Sequence, residues 1–558
     1  MKKFIPPVGE ADFRNLRRAN YGFVDKSFFI RDVLADSSKV LCFPRPRRFG
    51  KSTNLSMLGY FLRKADENLT DIFDGLEVTR DPDTMKHFQR YPVITISFKD
   101  AKGATFVSAM KSIREQVVTA YREHVYLLEP GRVEDTLAQR LALVRAGKAD
   151  DDDLKFSLLW LSQALYAYHN QPVVILIDEY DTPIQSGYLY EFFDDVVLFF
   201  RNFFAACLKD NPALYKGVLT GILRVSKENL FSGLNHIMVH SIIQETYNTA
   251  FGFTEKEVAA IVEPDRLDEV RSWYNGYNFG GEVIYNPWSI LHYIYHGKLQ
   301  PYWVNSGSSD LIETLAVKQG LGLTTRSETL LQGGSIDVPV DSNIVLRDID
   351  KNDDALWNFL LFAGYLKPVE VRLVVGRYCA KLAIPNQEVK LVYEDMFRIW
   401  LHKAAPEPAY LEDLVKALFS GDTDTIRDII EEMFLNVLSY HDGTGQKPEK
   451  LYHGFILGML VHLENQYEVR SNRESGFGRA DVLIRPKQPG QPGVVIEFKV
   501  RRRNESPEQA LLHAAEQIRA RQYAAELLAA GASPVYEYAM VFDGKNAYVK
   551  RVADLLPA

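Results

Sequence analysis

Residues 470–503 read RSNRESGFGRADVLIRPKQPGQPGVVIEFKVRRR. Two apolar runs, Ala480 to Ile484 and Val494 to Val500, flank a Pro/Gly-rich connection, which is the pattern of a β-hairpin. The first run carries Asp481 near its start. The second carries Glu497 and Lys499 two apart, and strand side chains alternate, so these two share a face. Two carboxylates and a lysine on neighbouring buried strands are costly unless they hold something. A divalent cation is the natural occupant: Mg2+ takes one or two carboxylates and keeps waters, and such a water can attack a phosphodiester. EFK alone also occurs in ordinary strands whose polar residues face solvent. RESGFGRAD at hairpin distance upstream favours the metal site.

The arrangement resembles the PD-(D/E)xK nuclease superfamily, with GRADVLI supplying the Asp and EFK the (D/E)xK half. The resemblance implies that Asp481 and Glu497 hold the metal, with the Phe498 carbonyl as a further ligand. Lys499 would then position or polarise the attacking water and stabilise charge developing on phosphate. It also implies a place near the scissile phosphate for Gln517, on an amphipathic helix expected over Pro507 to Ala530 that carries Tyr523 as well. Glu449 and His453, four apart on a helix face upstream, are further candidates for the metal site. A core or cap role serves His453 equally well. Over residues 470–503, nine Lys/Arg stand against three Asp/Glu, an excess that suits phosphate neutralisation and also fits a solvated basic face.

The whole chain has 558 residues, too many for one core, so roughly two to four domains are expected. Its 46% hydrophobic and 25% charged residues are those of a soluble globular protein. A net charge of -8 excludes a general polyanion binder and leaves nucleic-acid contact to local patches. Cys42, Cys207 and Cys379 form no CxxC, which argues against a zinc knuckle or disulfide framework. The N-terminus MKKFIPPVGEADF lacks a signal-peptide core, and no uncharged run approaches membrane-spanning length. The expectation is a cytoplasmic protein with no membrane partner.

At the front, VLCF (Val40 to Phe43) reads as a buried strand, and Gly50-Lys51-Ser52 opens a helix with Leu55, Leu58, Phe61 and Leu62 at helical spacing. Strand, loop, GKS and helix is P-loop order. The amides from Gly50 onward would cradle phosphates, Lys51 would reach the β/γ-phosphates of ATP, and Ser52 would ligate Mg2+. The strict pattern has a glycine at position 45, where Arg45 stands between Pro44 and Pro46. PVVILIDEYDTPI (Pro172 to Ile184) then runs a continuous apolar strand into Asp178 and Glu179, as a strand buried in a parallel sheet would. Asp178 would hold Mg2+ through water and Glu179 would polarise the attacking water. Each signal alone also fits a core strand or a chance loop, but together and in this order they favour a nucleotide site.

A third strand, Tyr215 to Ser226, puts Thr220 and Arg224 where ATPases of this build sense the γ-phosphate; an ordinary strand end is the alternative. Pro92 to Phe98 adds another strand, for a sheet of at least four to five. Asp150 to Asp153, inside a helical insertion, is expected to be a solvated loop.

Long strings extend the likeness: YGFVDKSFFI, RPRRFGKSTNLSML, VVILIDEYDTPI, LTGILRVSKENLFSGLN, FGFTEKEV, WYNGYNFGGEVIYNPWSI, YWVNSG and SNRESGFGRAD. With these the chain resembles a bacterial family with an N-terminal AAA-ATPase-like domain and a C-terminal PD-(D/E)xK nuclease domain. RPRRFGK(S/T) is that family's own loop, so Arg45 does not mark a damaged site, and the speed of hydrolysis stays open. The implied fold class is α/β: an N-terminal P-loop-type parallel sheet (1–250), a helical and winged-helix-like middle (251–411) and a restriction-endonuclease-like domain (412–558). The aromatic clusters of the middle are expected to pack rather than stack bases.

The expected function is ATP binding coupled to Mg2+-dependent cleavage of nucleic acid, DNA above RNA, in defence or DNA processing. Two rivals stay open: a nucleotide-dependent switch or scaffold that binds nucleic acid without cutting, and a motor ATPase with a DNA clamp. A homo-oligomer is compatible with this reading, and ATP could license the cut or restrain it.

Overall fold

The computed structural model describes residues 4–223, 237–303, 325–331, 333–341, 353–393, 410–437, 456, 460, 463, 466–475, 478–502 and 505–556. The chain divides into two compact units, Met1–Ile312 with Asp337–Val389, and Glu313–Ile336 with Lys390–Ala558.

In the first unit, β1 (Val40–Pro44), β2 (Val93–Ser97), β3 (Val173–Asp178), β4 (Leu214–Gly221) and β5 (Ile237–Val239) form a parallel sheet in the order β2-β3-β4-β1-β5. Every residue of β1 and β3 is buried, which is why both read as unbroken apolar runs. Parallel neighbours need crossovers, and helices Lys51–Leu62, Ser157–His169 and Phe193–Leu208 supply them. Because β4 lies between β1 and β3, the GKS loop and the DEYD turn flank the C-terminal end of one strand. That end is where such sheets build sites.

The acidic run Asp150 to Asp153 is not a loop. Asp150 caps a short helix, Asp151–Lys155, by accepting the Asp153 N–H at 2.7 Å. The remaining carboxylates sit in its first turn, where free N–H groups and the helix dipole favour negative charge.

The middle adds short strands to its helices. β6 (Phe253–Thr254), β7 (Tyr277–Phe279) and β8 (Glu282–Tyr285) make a small antiparallel sheet in the order β6-β8-β7. Its aromatics are packing anchors: the Phe49 ring lies 4.9 Å from Tyr277 and 5.2 Å from Phe279. A further sheet has β9 (Ile336–Val340), β10 (Lys367–Val374) and β11 (Arg377–Ala383), with helix Asp353–Ala363 ahead of the β10–β11 hairpin.

In the second unit, β12 (Tyr467–Ser475), β13 (Gly478–Pro486), β14 (Gly493–Val500), β15 (Val535–Asp543) and β16 (Asn546–Arg551) form a mixed sheet in that order. Only β14 and β15 run parallel, joined through helix Pro507–Arg521. Alternation sorts the side chains to two faces. Val482, Val494, Ile496 and Phe498 pack in one core with Leu418, Ile430 and Phe434 of helices Tyr410–Ser420 and Thr423–Val437. Leu483, Val495, Ala539 and Val541 pack in another with Ala514, Ala515 and Ile518 of Pro507–Arg521. The single helix expected to Ala530 is broken at Gln522, which adopts φ 51°, and resumes over Ala524–Ala529. Among the described residues no helix is long and apolar enough to cross a membrane.

Candidate nucleotide and metal sites

Gly50 caps helix Lys51–Leu62 at φ 82°, a left-handed turn that favours glycine and that aims the following amides at the loop's interior. A cavity of about 640 Å³ opens there, lined by Arg47, Gly50, Lys51, Ser52, Glu179 and Gln185 among others. The buried Lys51 ammonium donates to the carbonyls of Arg45 (3.0 Å) and Pro46 (2.9 Å). Ser52 Oγ donates to Asp178 Oδ2 at 2.5 Å, and the Thr220 hydroxyl donates to Asp178 Oδ1. Glu179 follows at φ 51°. Burial raises its carboxyl above the ordinary value; Lys51 opposes the shift, and Asp178 and Asp181 add to it. Burial lowers the Lys51 ammonium, against the pull of Glu179. The structure thus brings Lys51, Ser52, Asp178, Glu179 and Thr220 together. Arg224 lies outside the described residues, as do Glu449 and His453.

Arg45 occupies the position of the strict pattern's first glycine, and its side chain is a buried strut. The guanidinium donates to the carbonyls of Pro44 (2.9 Å), His240 (2.6 Å) and Tyr247 (3.2 Å). It also lies 5.1 Å from the Phe251 ring centroid and 5.6 Å from that of Phe279. Burial pushes it down to about 9. Only its carbonyl turns to Lys51. The loop is tied down further at Arg47, whose carbonyl accepts from Asn286 Nδ2 (3.3 Å) and Trp303 Nε1 (3.1 Å).

Sequence reasoning passed over Asp181, the second aspartate of DEYD. It is 1% exposed, and its Oδ2 accepts the N–H groups of Ile222 (3.0 Å) and Leu223 (2.9 Å). The signal was a third carboxylate within four residues of a buried strand end.

In the second unit, β13 and β14 pair from Ile484↔Val494 to Val482↔Ile496, a register that carries Asp481 opposite Glu497. There the ladder gives way: the Phe498 N–H donates to Asp481 Oδ2 at 2.7 Å. Lys499 Nζ donates to Glu497 Oε1 at 2.8 Å. Glu497 is 1% exposed, and its Oε2 has no hydrogen-bond partner among the described residues. Burial raises its carboxyl to about 7, with the Asp481 charge adding and Lys499 opposing.

Gln517 Nε2 lies 3.4 Å from the hydroxyl of the buried Tyr523. Burial raises the Tyr523 phenol; Gln517 opposes this, and the charges of Glu497 and Asp481 add to it, so both carboxylates lie near this pair. An orphaned buried carboxylate oxygen beside a second carboxylate suits a divalent cation. Among the described residues no group of three or more His, Cys, Asp or Glu is assembled.

The basic excess around this hairpin is smaller than its sequence suggests. Arg470 is paired with Glu468 and Glu526, Arg485 with Glu468, and Arg501 with Asp543.

Residues 7–231 match the family model described as a predicted AAA-ATPase, and residues 447–552 match that of the PD-(D/E)XK nuclease superfamily. A relative in Azotobacter chroococcum mcd 1, named only as an uncharacterized protein in the vnfD 5' region, is 26% identical over 499 residues, covering 86% of each chain. The parallel sheet with its GKS loop and the mixed sheet with its Asp-Glu-Lys cluster agree with those two matches. The chain thus carries an N-terminal region similar to AAA-ATPase-like domains and a C-terminal region similar to domains of the PD-(D/E)XK nuclease superfamily.

Proposed function

We propose that this protein cleaves nucleic-acid phosphodiesters, DNA in the first place, with a Mg2+ ion held in the second unit, and that ATP bound in the first unit controls the cut. The observation that carries this reading is Glu497. An ionised carboxylate so deeply buried needs a partner on each oxygen; Lys499 serves Oε1, and Oε2 has none among the described residues. Mg2+ would supply the rest, along with an activated water and neutralisation of the phosphate. Asp481 and Glu497 would hold the ion, with the Phe498 carbonyl beside them. Lys499, tethered to Glu497, would place its side chain where the attacked phosphate gains negative charge. Gln517, near Tyr523, would orient the scissile group.

In the first unit, the amides after Gly50 would cradle phosphates, and Lys51 would exchange the Arg45 and Pro46 carbonyls for the β/γ-phosphates. Ser52 and Asp178 would flank the accompanying Mg2+, Glu179 would orient water, and Arg224 would sense the γ-phosphate. The test is cleavage of end-labelled duplex DNA, single-stranded DNA and RNA by the full chain with Mg2+ or Ca2+. Cleavage should need Mg2+ and disappear in Glu497→Gln. A variant that cuts as fast as wild type would remove the second unit's cluster from the chemistry.

A further inference from the structure

The segment Asp178–Asp181 grips the end of β4 at several points. The Thr220 hydroxyl donates to Asp178, and the Tyr180 N–H donates to the Thr220 carbonyl at 3.2 Å. The Tyr180 hydroxyl donates to the Leu223 carbonyl. Asp181 Oδ2 accepts three hydrogen bonds, from the N–H groups of Ile222 (3.0 Å) and Leu223 (2.9 Å) and from Gln185 Nε2 (2.8 Å). Its Oδ1 accepts none among the described residues. Gly221 permits the grip: a Cβ there would stand 2.6 Å from Asp181 Oδ1 and 2.7 Å from the Tyr180 ring.

A buried carboxylate with one oxygen unused is an expensive way to anchor a turn. Its position explains why it is worth having. The turn it anchors begins with Thr220, whose hydroxyl occupies one oxygen of Asp178 while Ser52 occupies the other. We infer that Asp181 is a positioning residue of the nucleotide site: it holds the Thr220–Leu223 turn, and through it the Thr220 hydroxyl, against Asp178. This rests on the reading of the first unit as an ATP site. Loss of the anchor lets Thr220 drift and leaves Asp178 with only Ser52 and the Glu179 N–H (3.0 Å), which degrades the chemical step more than nucleotide binding.

The bonding pattern separates hydrogen bonding from charge. All three bonds fall on Oδ2, so the amide oxygen of Asp181→Asn can accept the same three, whereas Asp181→Ala can accept none. In the full chain without nucleotide, hydrogen exchange at the Ile222 and Leu223 amides should speed up about tenfold in Asp181→Ala and stay near wild type in Asp181→Asn. With ATP, Asp181→Ala should lose about tenfold or more in kcat while the Kd for a fluorescent ATP analogue stays within about threefold. Asp181→Asn should keep both within about threefold, and Asp181→Ala combined with Thr220→Ala should be no slower than the worse single variant.

Wild-type kcat in Asp181→Ala, an Asp181→Asn as impaired as the alanine variant, or multiplying effects with Thr220→Ala would each overturn the inference. If Asp181→Ala does not fold, Thr220→Ala carries the test: its kcat should fall about tenfold while the Kd for the ATP analogue stays within about threefold, and a wild-type kcat there would overturn the inference. A wild-type protein that binds no ATP, yet shows the exchange difference, would sink the nucleotide reading and reduce Asp181 to a structural anchor.

Discussion

Removing divalent cations should weaken the second unit as pH rises, and Glu497→Gln should abolish that sensitivity. The Glu497 carboxyl stands at about 7 in the cation-free fold against an ordinary 4.5, because burial and the Asp481 charge disfavour its ionised form. A folded-state value above the unfolded one stabilises the protein fully below pH 4.5, and that stabilisation is lost as pH climbs through 7. The gap corresponds to about 3 kcal/mol. At pH 8 a cation-free fold must carry the ionised, half-satisfied carboxylate; a cation on Oε2 favours that same form and restores the loss.

The assay is unfolding of the full chain in urea, with the second unit followed by exchange of its β14 amides, in chelator or in saturating Mg2+. In chelator, the difference between wild type and Glu497→Gln should move by up to about 3 kcal/mol against wild type from acid pH to pH 8. Mg2+ should stabilise wild type at pH 8 and leave the variant unmoved. A wild-type-minus-variant difference that is flat across this range, or equal Mg2+ stabilisation of both proteins, would refute the reasoning.

Arg45→Gly, which restores the strict loop pattern, should not improve the nucleotide site. It removes a charged donor from three carbonyls and its packing on Phe251, a loss of about 3–5 kcal/mol that a thermal melt would report. An unchanged melt with tighter ATP binding would contradict the strut. Gly276→Ala should fold poorly: the residue holds φ 131°, and a methyl there would overlap the Pro385 carbonyl. Soluble expression and melting at wild-type levels would count against that packing. At acid pH, Mg2+ affinity measured by calorimetry should fall about tenfold per unit below pH 7, where Glu497 holds its proton. Affinity independent of pH would mean that Glu497 is not a ligand.

What could be read from the residues, and what could not, divides along physical lines. β1 and β3 announce themselves because strands covered on both faces read as near-continuous apolar runs, and β14 shows through its Val494–Ile496 run. The shared face of Glu497 and Lys499 follows from a period of two, and the 2.8 Å contact bears it out. β6, β7 and β8 are two, three and four residues long, too short to show any period, so they leave no strand signal in the sequence. The helix break at Gln522 carries neither Gly nor Pro to mark it. Arg45 shows only as a missing glycine, since its carbonyl partners lie at residues 44, 240 and 247. The pairing of Arg470 with Glu526 and of Arg501 with Asp543 depends on residues brought together only by the sheet and its helices.

The most direct measurement is nicking of supercoiled plasmid in Mg2+ by wild type, Lys499→Ala and Lys51→Ala, each with and without ATP. Wild type should cut, Lys499→Ala should fall by about a hundredfold or more, and ATP should change the rate of wild type but not of Lys51→Ala. A wild type that binds Mg2+ and DNA yet cuts under no condition, or a Lys499→Ala that cuts at the wild-type rate, would contradict a nuclease site built on Asp481, Glu497 and Lys499.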